Sequence, residues 1–323
     1  MKQVFLLLAL ILKAKAMATC TSLSEARALQ VPTYEETFVR DPKVAHFWGS
    51  RRALLESAWQ EWESATPLPK LDSSLYDPKL RKAIEEAWKD PTKEDGVRDL
   101  WEEVSPGVYK TQFFDAEKLH TLREYFDKAT TSGIPVRAPY GIQLNHGGMM
   151  VDSRSEGYLA MPSFQEFYKN LMETYMRPLG RLFYPEYIND QDDSQTFGFS
   201  IATMEKGLRM HTDSSALTLN MNMNLPSEDW EGSSLLFVDP KTLERNKVVF
   251  GRGEAVIHRG ATAHMSLPLT NGLPRRNLVL WLYGKNGRVN RGAPYPAHEQ
   301  LTQQERWTKP EGSQTEQDWW APF

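Results

Sequence analysis

The sequence predicts an α+β protein in which an N-terminal helical region precedes a strand-rich sandwich or jelly roll with flanking helices. Two observations carry this. Up to about residue 104, Leu54, Leu55, Trp59 and Trp62 recur at helical spacing, and Pro67, Pro69, Pro78 and Pro91 punctuate the chain as turns or helix starts. Beyond Thr196, short strands separated by turns follow one another, a texture that fits antiparallel sheets packed face to face better than a parallel βαβ sheet.

Taken in order, the chain opens with Met1-Lys2-Gln3, an apolar run over 4–12, and then Lys13-Ala14-Lys15-Ala16-Met17-Ala18. A positive start, a short apolar core and small residues resemble a secretory leader, and the run is too short to span a bilayer. Residues 1–21 are therefore expected to be a leader and 22–104 the helical region, with 105–323 as the strand-rich domain. The expected location is the secretory pathway or endoplasmic reticulum, with another organelle or the cytoplasm as alternatives. Helices are expected over 50–64 and 80–89, the Trp and Leu positions forming core. A strand over 108–114 leads to a helix over 116–128 that Asp115 caps. A second amphipathic helix over 164–176 stacks Phe167, Leu171 and Tyr175 on one side, and Pro178 is expected to end or kink it. Strands follow over 197–203, 216–223, 235–238, 247–250, 255–258, 263–269 and 277–283.

Composition narrows the chemistry. Of 323 residues, 40% are hydrophobic and 25% charged, with a net charge of -4, so no global basic field draws the protein to nucleic acid. Cys20 is the only cysteine, which excludes an intrachain disulfide, a thiolate zinc site and an iron–sulfur cluster. A metal in this chain needs His and carboxylate ligands.

His211-Thr212-Asp213, with His264 51 residues beyond the aspartate and Arg275 after it, has that character. Two imidazoles and one carboxylate form the facial triad that holds non-haem Fe(II) with coordination positions open. If residues 211–213 are extended, His211 and Asp213 share a face about 6–7 Å apart along the backbone. Asn271-Gly272 is a strong hairpin dipeptide, so 263–269 and 277–283 are expected to pair around it. A loop of Asn271-Gly272 sets Arg275 opposite Pro268; a loop over 271–274 sets it opposite Thr270. Either register puts Arg275 on the His264 face, with a backbone offset of about 13–20 Å, the gap for a five-carbon dicarboxylate held bidentately by a guanidinium. His258 is the rival third ligand, but only His264 leads directly into the arginine-bearing segment, and His258 reads as a buried, hydrogen-bonded histidine. His46, His120, His146 and His298 lack ligand-like company.

The run 208–220 with 231–237, and the run 258–272 continuing through Arg275 to Asn277-Leu278-Val279-Leu280-Trp281, resemble the iron-binding core of prolyl-4-hydroxylase-like 2-oxoglutarate/Fe(II) oxygenases. Within that superfamily the chain is most similar to the eukaryotic "oxygenase domain-containing" branch, over about residues 134 to 285, and 177–186 adds a weaker match. The resemblance implies a double-stranded β-helix (jelly roll) core, with His211, Asp213 and His264 on iron and Arg275 on the distal carboxylate of 2-oxoglutarate. It makes Thr218 a candidate for the co-substrate pocket. It also implies Fe(II), 2-oxoglutarate and O2 as cofactors, with ascorbate as a further one, and hydroxylation of a peptidyl prolyl or lysyl residue. Retention of a carboxylate at Asp213 favours hydroxylation, because related halogenases lack it so that chloride can bind. The alternatives are the same chemistry on a small metabolite, or a jelly-roll binding module without turnover. Two positions depart from the pattern. Relatives often carry a Tyr about nine residues before the first iron ligand, where this chain has Ala202 and Thr203, a change expected to bear on co-substrate affinity. They also carry a Gly-Gly pair where this chain has Gly232-Ser233, expected to alter only a turn.

Overall fold

The computed structural model describes residues 21–38, 41–140, 148–188, 196–202, 207–283 and 294–308. The apolar run over 4–12, Cys20, His146 and Thr203 lie outside them. Helices α1 (Ser22–Arg27), α2 (Tyr34–Phe38), α3 (Pro42–Gly49), α4 (Arg52–Ala65), α5 (Pro78–Lys89) and α6 (Asp95–Arg98) dominate the described residues before the first strand. Sequence chemistry fixes several ends: Asp77 caps α5 by accepting the Lys79 and Leu80 amides, and Pro78 follows in its first turn. Leu55, Trp59 and Trp62 are buried on one side of α4, as their spacing requires.

Strands β1 (Glu102–Ser105) and β2 (Val108–Gln112) lead to α7 (Leu119–Thr131), entered through a short 3-10 turn that Asp115 caps. After β3 (Met149–Met150), helix α8 (Pro162–Asn170) runs through a π-helical turn, Leu171–Met176, into α9 (Arg177–Phe183). Of the two expected effects of Pro178, an end or a kink, the end does not occur. The chain widens one turn before it, and Pro178 sits in the first turn of α9, where an amide needs no partner from that helix.

The remaining strands are β4 (Thr196–Ala202), β5 (Leu208–His211), β6 (Leu217–Asn222), β7 (Trp230–Gly232), β8 (Leu235–Val238), β9 (Arg245–Val248), β10 (Glu254–Arg259), β11 (His264–Ser266), β12 (Leu269–Gly272) and β13 (Arg276–Leu282), followed by α10 (Gln303–Arg306). They form a seven-stranded sheet, β1-β2-β10-β6-β13-β4-β3, a four-stranded sheet, β5-β11-β8-β9, and the pair β12-β7. All the pairings are antiparallel, and from β4 onward the chain passes back and forth between the sheets, the winding of a jelly roll.

Two layers of core follow from the period of two. On the large sheet Leu217, Leu219, Met221, Ala255, Ile257, Leu278, Leu280 and Leu282 join one apolar cluster with the helices, from Ala26 to Trp307. A second cluster of Val108, Leu235, Phe237, Val248, Phe250 and Val256 fills the space between the sheets. That inner layer also receives Thr218, Asn222, His258 and Asn277, buried polar residues that need hydrogen-bond partners there.

The expected hairpin about Asn271-Gly272 does not form. Strand β11 lies between β5 and β8, whereas β13 lies in the other sheet between β6 and β4, and β12 pairs with β7. The six residues from Asn277 to Leu282 are all buried, which a two-stranded ribbon cannot provide and a central strand covered on both faces can. Gly272 instead admits the neighbouring strand: its φ is +83° and a Cβ there would lie 2.3 Å from the Asp229 carbonyl oxygen.

The C-terminal segment is clasped to the helical region by Glu94, which is 3% exposed. It accepts Arg306 Nε at 3.0 Å, Trp307 Nε1 at 2.9 Å and Gln303 Nε2 at 3.2 Å, and pairs with Arg306 Nη2. Burial alone would raise its pKa, but the bonds from Arg306 and Trp307 outweigh this and hold it below the ordinary value. The stabilisation is thus complete above the unfolded carboxylate pKa and fades as pH falls through the lower folded one. Glu94→Gln is expected to cost about 2 kcal/mol in urea unfolding at neutral pH, because it removes the charge that the partly buried Arg306 guanidinium and Trp307 bond to. Among the described residues, no helix is long and apolar enough to cross a membrane.

Candidate metal centre

His211 is the last residue of β5 and His264 the first of β11, and the two are direct partners across the antiparallel pair. Asp213 is not on the strand with His211, as the sequence spacing supposed. Strand β5 ends at His211, and Asp213 lies in the loop beyond, its amide donating to Gly260 O at 2.8 Å. Glycine makes this approach possible, since a Cβ at Gly260 would sit 2.0 Å from the Ser215 carbonyl oxygen. The loop is thereby pressed against the turn after β10, and the carboxylate comes to face both imidazoles.

Asp213 Oδ1 is 3.4 Å from His211 Nε2 and 3.8 Å from His264 Nε2. The three donor atoms lie within 4.8 Å of one another. His211 Nδ1 is 2.8 Å from Arg209 O and His264 Nδ1 is 3.0 Å from Thr262 O. Each Nδ1 therefore carries the proton and donates to a carbonyl, which leaves the Nε2 lone pair facing the carboxylate. Two lone pairs converging on an anion make a cradle for a cation, and the donor set suits a divalent transition metal of the Fe(II) type.

The electrostatics agree with this. Asp213 is 3% exposed; burial disfavours its charge, but His264, His211 and His258 together hold its carboxyl far below the usual range. Burial likewise pushes His211 down, yet Asp213 more than offsets it and leaves that imidazole above its ordinary pKa. In His264 burial dominates and the pKa falls.

His258 is also brought in, but to the back of the carboxylate. It is 1% exposed, its Nδ1 bonds Arg259 O at 2.9 Å, and its Nε2 is 4.0 Å from Asp213 Oδ2. Burial pushes it down to about 3, so it is neutral. Asp213 Oδ2 already accepts Thr218 Oγ1 at 2.6 Å, and Ser215 Oγ lies 2.9 Å from the same hydroxyl. Thr218 thus orients the carboxylate, and its hydroxyl is engaged there.

Arg275 is 2% exposed. Its Nε donates to Ser233 Oγ and its Nη2 to Ser266 Oγ, both at 3.2 Å, and the guanidinium lies 5.0 Å from the Phe250 ring centroid. Burial pushes its pKa down to about 9, which still leaves it charged at neutral pH. No carboxylate among the described residues pairs with it. A buried cation without a counter-ion among the described residues is costly, and such a setting suits an anionic partner. Ser266, which accepts from Arg275, shares the inner face of β11 with His264 at a backbone offset of about 6–7 Å, and the expected 13–20 Å offset loses its basis because β11 and β13 do not pair.

Ser233 was expected to change only a turn. Its backbone is left-handed, with φ of 51°, a conformation glycine holds at less cost, and its hydroxyl is one of the bonds that aim Arg275. The sequence signal for it was the serine itself, standing where relatives have glycine. Nothing in the sequence marked Ser266 or Phe250.

No family model matches the sequence. The chain is 28% identical over 193 residues to "2-oxoglutarate and iron-dependent oxygenase domain-containing protein 2" of Xenopus tropicalis, covering 56% of this chain and 50% of that protein. It thus spans about half the length of the curated relative it matches. A Trichoplax adhaerens prolyl hydroxylase, solved in complex with a hypoxia inducible factor oxygen degradation domain peptide fragment, overlays with a TM-score of 0.43 and 11% identity, covering 68% of this chain and 100% of that one. A 2OG-Fe(II) oxygenase family oxidoreductase from Burkholderia pseudomallei gives 0.40 and 13%, covering 69% and 100%. In its sequence over those 193 residues, and in a donor set of two histidines and one aspartate, the chain is similar to the 2-oxoglutarate/Fe(II)-dependent oxygenases.

Proposed function

We propose that the protein is an Fe(II)- and 2-oxoglutarate-dependent dioxygenase that hydroxylates a C–H bond, with a peptidyl prolyl or lysyl residue as its substrate. The observation that carries this reading is the pairing of a cation cradle with a buried arginine that donates to Ser266, two residues from His264 on the same face of β11. His211, Asp213 and His264 hold the metal, and Arg275 receives the distal carboxylate of 2-oxoglutarate. Thr218 keeps Asp213 Oδ2 occupied so that Oδ1 faces the metal. Ser233 and Ser266 aim the guanidinium. When bound, iron and 2-oxoglutarate supply an O2-driven oxidation in which 2-oxoglutarate becomes succinate and CO2 while the substrate C–H becomes C–OH. His211 is the most exposed of the three donors, its side chain 25% exposed against 8% for His264 and 4% for Asp213, and ascorbate would serve to keep the metal ferrous.

Anaerobic titration with Fe(II) and 2-oxoglutarate, followed by O2 and measurement of succinate with and without prolyl and lysyl peptides, tests the proposal. A charge-transfer band on adding 2-oxoglutarate and peptide-stimulated succinate are expected. Stimulation by small metabolites alone would move the substrate class, and a band without turnover would make the fold a binding module.

A further inference from the structure

A guanidinium has five N–H groups. Ser233 and Ser266 take one each from Arg275, and a third goes to Asn277, whose amide, oriented by its surroundings, places oxygen 3.2 Å from Arg275 Nη1 and nitrogen 2.9 Å from Arg276 O. Two N–H groups remain, the number that a bidentate carboxylate uses. In that orientation the same Asn277 oxygen faces the Asn220 amide, 2.5 Å away, and Asn220 meets it by turning its nitrogen inward as the donor.

These amides belong to a ladder. Asn220 and Asn222 share the inner face of β6 with Thr218, and Asn224 follows just beyond the strand. Asn224 accepts the Arg276 amide at 2.8 Å and donates to Pro274 O at 3.1 Å, clamping the backbone on both sides of Arg275. Asn222 stands directly opposite Asn277 across β6 and β13. It is 0% exposed, its Oδ1 accepts the Asn224 amide, and its Nδ2 has no partner among the described residues. Asn222 and Arg275, both neighbours of Asn277 on the inner face, thus each keep donor N–H groups without a protein partner among the described residues.

We infer that Asn277, seated by Asn220, is the positioning residue that sets co-substrate specificity: it aims Arg275 through a neutral oxygen and so leaves the positive charge for an external carboxylate. This rests on the proposed function and deepens it. An aspartate at the same position would neutralise Arg275 from within and close the pocket to a dicarboxylate, although the shapes of the two side chains are nearly equal.

The test uses the full chain loaded with Mn(II) and titrated with 2-oxoglutarate by calorimetry, together with thermal unfolding of the metal-free protein. Asn277→Asp is expected to bind Mn(II) as the parent does, to bind 2-oxoglutarate at least 100-fold more weakly, and to melt no lower than the parent. Asn277→Ala, the second variant should the first not fold, is expected to weaken 2-oxoglutarate about tenfold at unchanged Mn(II) affinity. Either variant binding 2-oxoglutarate within twofold of the parent would overturn the inference, as would parallel loss of Mn(II) and 2-oxoglutarate, the mark of general damage. If the parent itself takes up no 2-oxoglutarate, the proposed function fails first and this inference with it.

Discussion

Asp213→Ala and His264→Ala are expected to weaken Fe(II) binding by more than about 100-fold, beyond the roughly 10–100-fold that loss of an outer partner of a ligand costs. His258→Ala should leave the affinity within about tenfold of the parent. The difference lies in which oxygen each histidine faces. His211 and His264 direct Nε2 at Asp213 Oδ1, whereas His258 sits behind Oδ2, which Thr218 already occupies. His258→Ala should instead destabilise the fold by about 2–4 kcal/mol, the cost of a cavity in a packed core, since its ring packs against Phe237 and His264. Anaerobic equilibrium dialysis with Fe(II), paired with urea unfolding, separates the two effects. Iron binding abolished by His258→Ala but retained in His264→Ala would reverse the ligand assignment. The pH dependence has a definite sign. Protons compete with metal at imidazole, and Asp213 holds the His211 pKa above its ordinary value, so affinity should begin to fall at a pH above about 6.5 as the solution is acidified. Asp213, held far below the usual carboxylate range, does not compete in that window.

Arg275→Met should lose 2-oxoglutarate binding by more than about 100-fold, since truncating one partner of a buried charge pair costs roughly 2–5 kcal/mol of binding. The same change is expected to stabilise the metal-free protein by about 1–4 kcal/mol in urea unfolding, the range seen when buried charge gives way to packed apolar side chains. The guanidinium has neutral hydroxyl neighbours and the Phe250 ring around it, and methionine matches that setting without a desolvated charge. Loss of affinity together with gain of stability is the mark of a residue kept for function. Lower stability with unchanged 2-oxoglutarate affinity would instead make Arg275 a structural strut.

Much of the scaffold was legible along the chain because local rules suffice there. Pro78 after Asp77 starts a helix wherever it occurs in an amphipathic run, and strands β6, β8, β10 and β13 are bounded by turn residues within a residue or two of the expected limits. Local rules failed where two distant segments compete for the same edge. Asn271-Gly272 carries a hairpin signal, but six consecutive buried residues in β13 gain more between β6 and β4 than at the end of a ribbon. Arg275 still turned inward, for a reason other than the hairpin: it precedes β13 on the same alternating face as Asn277.

The sequence by itself determined which chemistry was available: one cysteine, two histidines and an aspartate at a separation that strands can close, and an arginine beyond them. Only the tertiary structure decided that Oδ1 and not Oδ2 of Asp213 faces the cradle, that Ser233 and Ser266 hold the guanidinium, and that the polar face of β6 is buried. The alternation Leu217-Thr218-Leu219-Asn220-Met221-Asn222 reads, alone, as a strand with one wet face. It becomes a wall of the candidate site because a second sheet, drawn from residues up to 49 positions away in the chain (Leu217 to Ser266), covers that face and removes the water that would otherwise satisfy it.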